Sequence, residues 1–207
     1  MIYSALIPVK SLDEAKSRLA PYIAYTQRVA LVLDMLHHVV YILRQSTMLT
    51  NINVVSADER VLTQVQSWGA TALSEERTGH NPALTAAATR LHSTGTHAIL
   101  TISADLPLLQ PQHIQDMIER SRTHHVVLAA SQDGSGTNAI LVRPPLVVPY
   151  VFGINSFQRY QQEAQQRGLS TTTYISPGTA LDLDTIDDIT AMQQRELAEK
   201  QQNSCNA

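Results

Sequence analysis

One cysteine in 207 residues, Cys205 in a polar tail, excludes an intrachain disulfide framework and a thiolate zinc site. There is no basic excess: 15 Lys and Arg stand against 18 Asp and Glu, a formal net charge of −3 at pH 7. Nucleic-acid binders carry a basic surplus or stripe, so that class is set aside. A small anionic substrate stays open, because a few local cations suffice to hold one. No apolar run approaches the ~20 residues of a membrane span. The N-terminus lacks the basic start, apolar run and small-residue cleavage pattern of a signal peptide, which makes the cytoplasm the expected compartment. No repeat, linker or low-complexity tract precedes the tail, which predicts one domain over residues 1–200 and a polar tail over 201–207. What is there is ordinary for a folded soluble chain, 43% apolar and 16% charged, enough for a sizeable core.

Apolar segments alternate with helical ones. Tyr3 to Val9 reads as a buried strand, and Thr26 to Gln45 as a long helix with Val29, Val32, Leu33, Leu36, Val39, Val40 and Leu43 at three-to-four spacing. A second strand is expected over Asn53 to Ser56, then a helix from Asp58 to Trp68 stopped by Gly69, and a third strand over Ala70 to Leu73. Asn81-Pro82 reads as a cap followed by proline at the first helical position, opening a helix to about His92. His97 to Ser103 is the most continuous buried strand, and a helix from Pro111 to about Arg122 follows. Val126 to Ala130 and Asn138 to Arg143 flank a glycine-rich loop. Asn155 to Arg167 is expected as a helix, Thr171 to Ile175 as a strand, and Asp187 to about Lys200 as a closing helix. Strands separated by helices of this length imply parallel pairing in an α/β sheet with three layers.

Chemistry concentrates at strand ends. The connection after the first strand carries Lys10, Lys16 and Arg18, where α/β sheets commonly bind phosphates. Asp105 stands just beyond the most buried strand. In Leu181-Asp182-Leu183-Asp184, alternation sends both aspartates to one side of an extended segment, and one of them is expected to cap the last helix. Asp187 and Asp188 read as dipole-favoured residues of that helix's first turn. Carboxylates from distant strand ends without a histidine or cysteine cluster suit a hard cation such as Mg²⁺. The pairs His37-His38 and His124-His125 lack ligand spacing and read as structural. The loop Asp133-Gly134-Ser135-Gly136-Thr137 could turn backbone N–H groups to an anion, or simply join two strands. Gly153-Ile154-Asn155-Ser156 and Gly79-His80-Asn81-Pro82 each lead into a helix N-terminus that could hold a phosphate. Several such sites around one acidic strand end suggest two phosphorylated ligands meeting across a cation.

Taken together, Ala15-Lys16-Ser17-Arg18-Leu19, Ala104-Asp105-Leu106-Pro107-Leu108-Leu109 and Asp133-Gly134-Ser135-Gly136-Thr137-Asn138-Ala139 resemble the 2-phospho-L-lactate guanylyltransferases. The bacterial members of that family are better described as phosphoenolpyruvate guanylyltransferases of coenzyme F-420 biosynthesis. The resemblance spans nearly the whole chain. It implies a three-layer Rossmann-like nucleotidyltransferase fold with a mostly parallel mixed sheet. It also implies GTP with Mg²⁺, and transfer of GMP to a phosphorylated three-carbon acid with release of pyrophosphate. The product would be enolpyruvyl-2-diphospho-5'-guanosine or its lactyl counterpart, handed to a downstream phospholactate-type transferase.

By position, the resemblance gives Asp105 and Asp182 or Asp184 to the metal, Asp184 first. It gives Lys10, Lys16, Arg18, Gly79 and Asn81 to the nucleotide, with Lys16, Arg18 and Asp105 catalytic, and Thr137, Gly153 and Ser156 to the acceptor phosphate. His80 and Pro82 depart from the family pattern around the asparagine. Tyr160 stands where a histidine is common, and Ile186 replaces a common proline. A phosphate-monoester nucleophile is already ionised near neutral pH, its second pKa being about 6, so no general base is required. The alternatives are a nucleotidyltransferase acting on 3-phosphoglycerate, a sugar phosphate or a molybdopterin-type cofactor, a metal-dependent glycosyltransferase, and a non-catalytic nucleotide-binding protein. A homodimer is left open, since no segment of the sequence marks an interface.

Overall fold

The computed structural model describes residues 1–190 and 192. Most of the expected closing helix, the tail and Cys205 lie outside the described residues. Seven strands form one sheet: β1 (Tyr3–Val9), β2 (Leu49–Ser56), β3 (Thr71–Ser74), β4 (Ala98–Ile102), β5 (Val126–Ala130), β6 (Thr137–Val142) and β7 (Thr171–Tyr174). Their order across the sheet is β3-β2-β1-β4-β6-β5-β7. Pairing is parallel everywhere except at β6, which runs antiparallel to both β4 and β5. The expected mostly parallel mixed sheet is therefore present.

Helices α1 (Tyr25–Gln45), α2 (Glu59–Ser67), α3 (His80–Ser93), α4 (Pro111–Arg120), α5 (Ser156–Gln166) and the short α6 (Pro177–Ala180) cover its two faces. The register assigns each face. Ala5, Leu100, Leu141 and Val127 lie side by side and pack on the Leu36 and Leu43 stripe of α1 and on Ile114 of α4. One residue along, Leu6 packs with Ile99 against Leu84 and Ala88 of α3, while Val142 and Val126 pack against Tyr160 and Ala164 of α5. Because both faces are covered, the central strands are buried along nearly their whole length rather than on alternate residues.

Local differences have local causes. β2 begins at Leu49, four residues earlier than the expected Asn53, because Leu49 to Ile52 pair with the beginning of β1. α3 begins at His80 with Gly79, not Asn81, at its N-cap. Gly79 has φ 101°, a conformation that only glycine adopts without strain. Pro82 then falls in the first turn, where no intrahelical partner awaits its missing N–H.

The position of β4 creates a switch point in the strand order. The chain builds β1, β2 and β3 outward in one direction, then returns so that β4 lies on the other side of β1. In such sheets ligands bind beyond the carboxyl ends of the strands at that switch. The reversed direction of β6 brings its first residues, Thr137 and Asn138, to the same edge, with Ala139 opposite Ile102.

Candidate active site

The segment after β1 is largely exposed but pinned at several points, which makes it a held platform. Leu12 and Leu19 are buried, the latter in a 3-10 turn over Ser17–Leu19. Asp58 anchors the platform: one carboxylate oxygen accepts from the Leu12 backbone N–H at 2.9 Å and from Ser11 Oγ at 3.3 Å. The same oxygen meets the Arg60 guanidinium at 2.7 Å. Further on, Arg28 donates to the Ala15 carbonyl at 3.1 Å. Lys16 takes a left-handed backbone (φ 53°), which turns its side chain back into the cleft.

There Lys16 Nζ pairs with Asp105 Oδ2 and, at 2.7 Å, with Asp184 Oδ1. Its side chain is 7% exposed. Burial alone would depress the ammonium, but Asp105 and Asp184 outweigh it and hold its pKa above the ordinary lysine value. Arg18 stays largely in solvent and reaches Asp184 at 3.7 Å.

Asp105 lies two residues past Ser103, whose Oγ donates to its Oδ1 at 2.5 Å. Asp182 and Asp184 lie on an extended stretch in which Leu181 and Leu183 are buried, so the period-two alternation turns both carboxylates to the cleft. The Leu183 N–H donates to the Asp105 carbonyl at 3.2 Å, tying the two acidic segments together. Oxygens of Asp105, Asp182 and Asp184 lie within 4.8 Å of one another.

Burial, followed by the charges of Asp105 and Asp184, pushes the Asp182 carboxyl up to about 6. Three clustered carboxylates facing the single Lys16 ammonium leave negative charge in excess of what Lys16 balances. An all-oxygen, partly buried set with surplus charge fits a hard divalent cation such as Mg²⁺. Neither Asp182 nor Asp184 caps the final helical segment. Thr185 and Asp188 form a capping box there, with Asp188 accepting from the Thr185 N–H at 2.7 Å and donating its own N–H to Thr185 Oγ1 at 3.3 Å.

In the same cleft, Ser156 at the start of α5 donates its hydroxyl to Thr137 Oγ1 at 3.2 Å. Gly153, with φ 122°, accepts the Ser156 N–H at 3.1 Å. Thr137, Gly153 and Ser156 are thus brought together. The glycine-rich loop before them is different. Its N–H groups at Ser135 and Gly136 are already taken by Asp133 Oδ1 and Ser131 Oγ, at 2.9 and 2.7 Å. The loop is a self-bonded hairpin turn, and hydrogen bonds from the Ser131 hydroxyl, then from the Ser135 N–H and hydroxyl, hold the Asp133 carboxyl well below the usual carboxylate range.

Lys10, Lys16, Arg18, Asp105, Asp182 and Asp184 line one cleft of about 1160 Å³ together with Thr137, Gly153 and Ser156. That exceeds the ~300–1,000 Å³ usual for a single small-ligand site. Gly79 and Asn81 do not line it. Gly79 donates its N–H to Glu75 Oε1 at 3.1 Å, and the Asn81 amide is bonded to Phe152. Sequence reasoning missed His80, Ser103 and Asn138, all of which line the cleft. Burial, then the charge of Lys10, lowers the His80 pKa. The signal for Asn138 was its place beside Thr137; its Nδ2 donates to the Ala180 carbonyl at 2.9 Å and steadies the Asp182 segment. Neither adjacent histidine pair reaches the cleft: His37 lies against Trp68 at 4.7 Å, and His125 meets Ser170 at 2.7 Å.

Comparison with known proteins gives the site a context. The family described as "Guanylyl transferase CofC like" matches residues 3–198. A phosphoenolpyruvate guanylyltransferase of Rubrobacter xylanophilus is 37% identical over 91% of this chain and 92% of its own length. A 2-phospho-L-lactate guanylyltransferase of Methanothermobacter thermautotrophicus is 33% identical over 89% and 81%. A 3-phospho-D-glycerate guanylyltransferase of Colwellia psychrerythraea is 30% identical over 89% and 88%. Among solved structures, CMP:2-keto-3-deoxy-manno-octonic acid synthetase in complex with CTP superposes with a TM-score of 0.66 at 14% identity, covering 95% of this chain and all of the other. The structural likeness speaks for the fold alone.

Proposed function

The chain belongs to the family of CofC-like guanylyl transferases, and from that premise we propose that it transfers GMP from GTP to phosphoenolpyruvate in coenzyme F-420 biosynthesis. Enolpyruvyl-2-diphospho-5'-guanosine and pyrophosphate are the products. With 2-phospho-L-lactate as acceptor the product is lactyl-2-diphospho-5'-guanosine. The observation that carries the reading is that one cleft gathers cations, three clustered carboxylates and the hydroxyls of Thr137 and Ser156.

A phosphate oxygen of the acceptor attacks the α-phosphorus of GTP. The new bond is O–Pα, the bond broken is that from Pα to the bridging oxygen of the β-phosphate, and the electron pair leaves with pyrophosphate. Because the attacking phosphate is already ionised, the obstacle is repulsion between two anions rather than proton removal. Lys10, Lys16 and Arg18 offset the charge of the triphosphate, and their fixed platform spares reorganisation during the reaction. Thr137 and Ser156 hold the acceptor phosphate in line with the α-phosphorus, Gly153 allowing close approach. Asp105, Asp182 and Asp184 would hold Mg²⁺. When bound, the ion withdraws charge from the phosphoryl oxygens. GTP and phosphoenolpyruvate are cytoplasmic metabolites, which puts the reaction there, and a reactive diphosphate product favours coupling to the transferase that consumes it.

Pyrophosphate release from GTP and Mg²⁺ tests this, with phosphoenolpyruvate, 2-phospho-L-lactate and 3-phosphoglycerate supplied separately and the downstream transferase present. Release with phosphoenolpyruvate is expected. Release with 3-phosphoglycerate alone would keep guanylyl transfer and change the acceptor to that of the Colwellia relative. Asp105→Ala should lose at least about 100-fold in turnover while unfolding at nearly the parent temperature. A variant within a few-fold of the parent would remove Asp105 from the site.

A further inference from the structure

Asn81 lies in the first turn of α3, where the sequence suggests a contact to the nucleotide. Its side chain instead makes a two-point bond to a single residue 71 positions away. Nδ2 donates to the Phe152 carbonyl at 3.0 Å, and Oδ1 accepts from the Phe152 N–H at 2.9 Å. A planar amide bonded to both backbone groups of one residue mimics a β-ladder pair and fixes that residue's orientation. The next residue is Gly153 at φ 122°, and the chain reaches Ser156 through Asn155, also left-handed at φ 54°. Beyond the bend, the Phe157 N–H donates to the Ser135 carbonyl at 3.2 Å and Ser156 bonds Thr137, so the far end is tied to the Thr137 loop. The Asn81 bonds to Phe152 fix the near end.

The Phe152 ring reinforces the anchor. It meets His80 edge-on at 5.4 Å and Tyr160 edge-on at 5.3 Å, and it packs against the apolar clusters under both α3 and α5. An Asn81 side chain turned toward a guanine base would have to give up both bonds.

We propose that Asn81 is a positioning residue for the acceptor. It clamps Phe152 so that Gly153 and Ser156 face Thr137 at the distance the acceptor phosphate requires. The inference rests on the assignment of Thr137, Gly153 and Ser156 to the acceptor phosphate. It gives Asn81 no contact with either substrate.

The test is steady-state pyrophosphate release by Asn81→Leu and Asn81→Asp, with GTP and the acceptor acid varied separately. Asn81→Leu removes both bonds at similar volume. Asn81→Asp keeps the bond from the Phe152 N–H and turns an oxygen on the Phe152 carbonyl, so it tests the clamp if the leucine variant folds poorly. Loss of two hydrogen bonds that orient a loop is expected to raise the acceptor KM about tenfold. The GTP KM should stay within about twofold and kcat within about threefold. Amide exchange over residues 152–156 should quicken in the substrate-free variants.

A rise in the GTP KM equal to or above that for the acceptor would overturn the proposal and make Asn81 a nucleotide contact. Unchanged constants for both substrates would overturn it as well. Thr137→Val, run in parallel, separates the two layers of the argument. An unchanged acceptor KM in that variant would defeat the acceptor assignment and the clamp with it. A raised one beside unaffected Asn81 variants would defeat the clamp alone.

Discussion

At the scale of single residues, Lys16 shows how an excess of one charge recruits a partner. Asp105 and Asp184 would each be costly to bury ionised without a counter-charge, and Lys16 supplies one to both. Replacing it with methionine keeps the stem's length and removes only the ammonium. Without Mg²⁺, Lys16→Met should be destabilised by about 2 kcal/mol, below the full value for a buried pair because Asp184 is 42% exposed. Urea unfolding with chelator and then with Mg²⁺ measures this, and the metal should restore more stability to the variant than to the parent. Equal responses would mean that Lys16 does not balance the carboxylates that hold the ion. Asn81 shows the converse limit: its residue type suits a cap, a base contact or a backbone clamp, and nothing in the neighbouring sequence ranks the three.

At the scale of elements, α2 ties the helix layer to the cleft-lining platform through its own cap. Asp58 accepts from the Arg60 N–H at 3.0 Å as an N-cap while also holding Leu12 and Ser11. Arg60, joined by the backbone N–H groups of Leu12 and Arg60, keeps its carboxyl well below the usual range although burial opposes this. The folded state therefore binds the proton less readily than the unfolded chain, whose aspartate titrates near about 3.9. The resulting stabilisation is complete above that value and is lost as the pH falls toward the folded pKa. Asp58→Asn should unfold at a lower temperature than the parent at pH 7, and the gap should narrow steadily below about pH 4. Thermal melts from pH 7 to pH 3 check this; a gap independent of pH would mean that the carboxylate's charge is not what anchors the platform. Periodicity marks α1 and β5 within a residue, because burial of one stripe or face repeats along the chain, but misses the first four residues of β2 and the short α6. Caps are less visible. Gly79 rather than Asn81, and Thr185 with Asp188 rather than Asp182 or Asp184, end their helices because the more obvious candidates are engaged elsewhere.

At the scale of the whole molecule, the sheet's centre is where stability and site geometry meet. Leu100 of β4 is fully buried between Ala5 of β1 and Leu141 of β6. Leu100→Ala should cost about 2–5 kcal/mol, as large-to-small changes in well-packed cores do. Urea denaturation should show it as a lower midpoint with an unchanged slope; a smaller loss would mean that this layer of the core collapses around the gap. The same central strands carry the site, since Ile102 leads into Ser103 and Asp105, and Ala139 opposite it follows Thr137 and Asn138. The sequence by itself determined the alternation of strands and helices, Asp105 beyond a buried strand, and the shared direction of Asp182 and Asp184, because each is a periodic or adjacent feature read along a few residues. Only the tertiary structure decided that β6 runs backwards, that Lys16 lies against carboxylates 89 and 168 residues away, and that Asn81 holds Phe152. Those contacts depend on which strand ends the sheet order brings to one edge, and that order is set by packing and hydrogen bonding summed over the whole chain rather than by any local pattern.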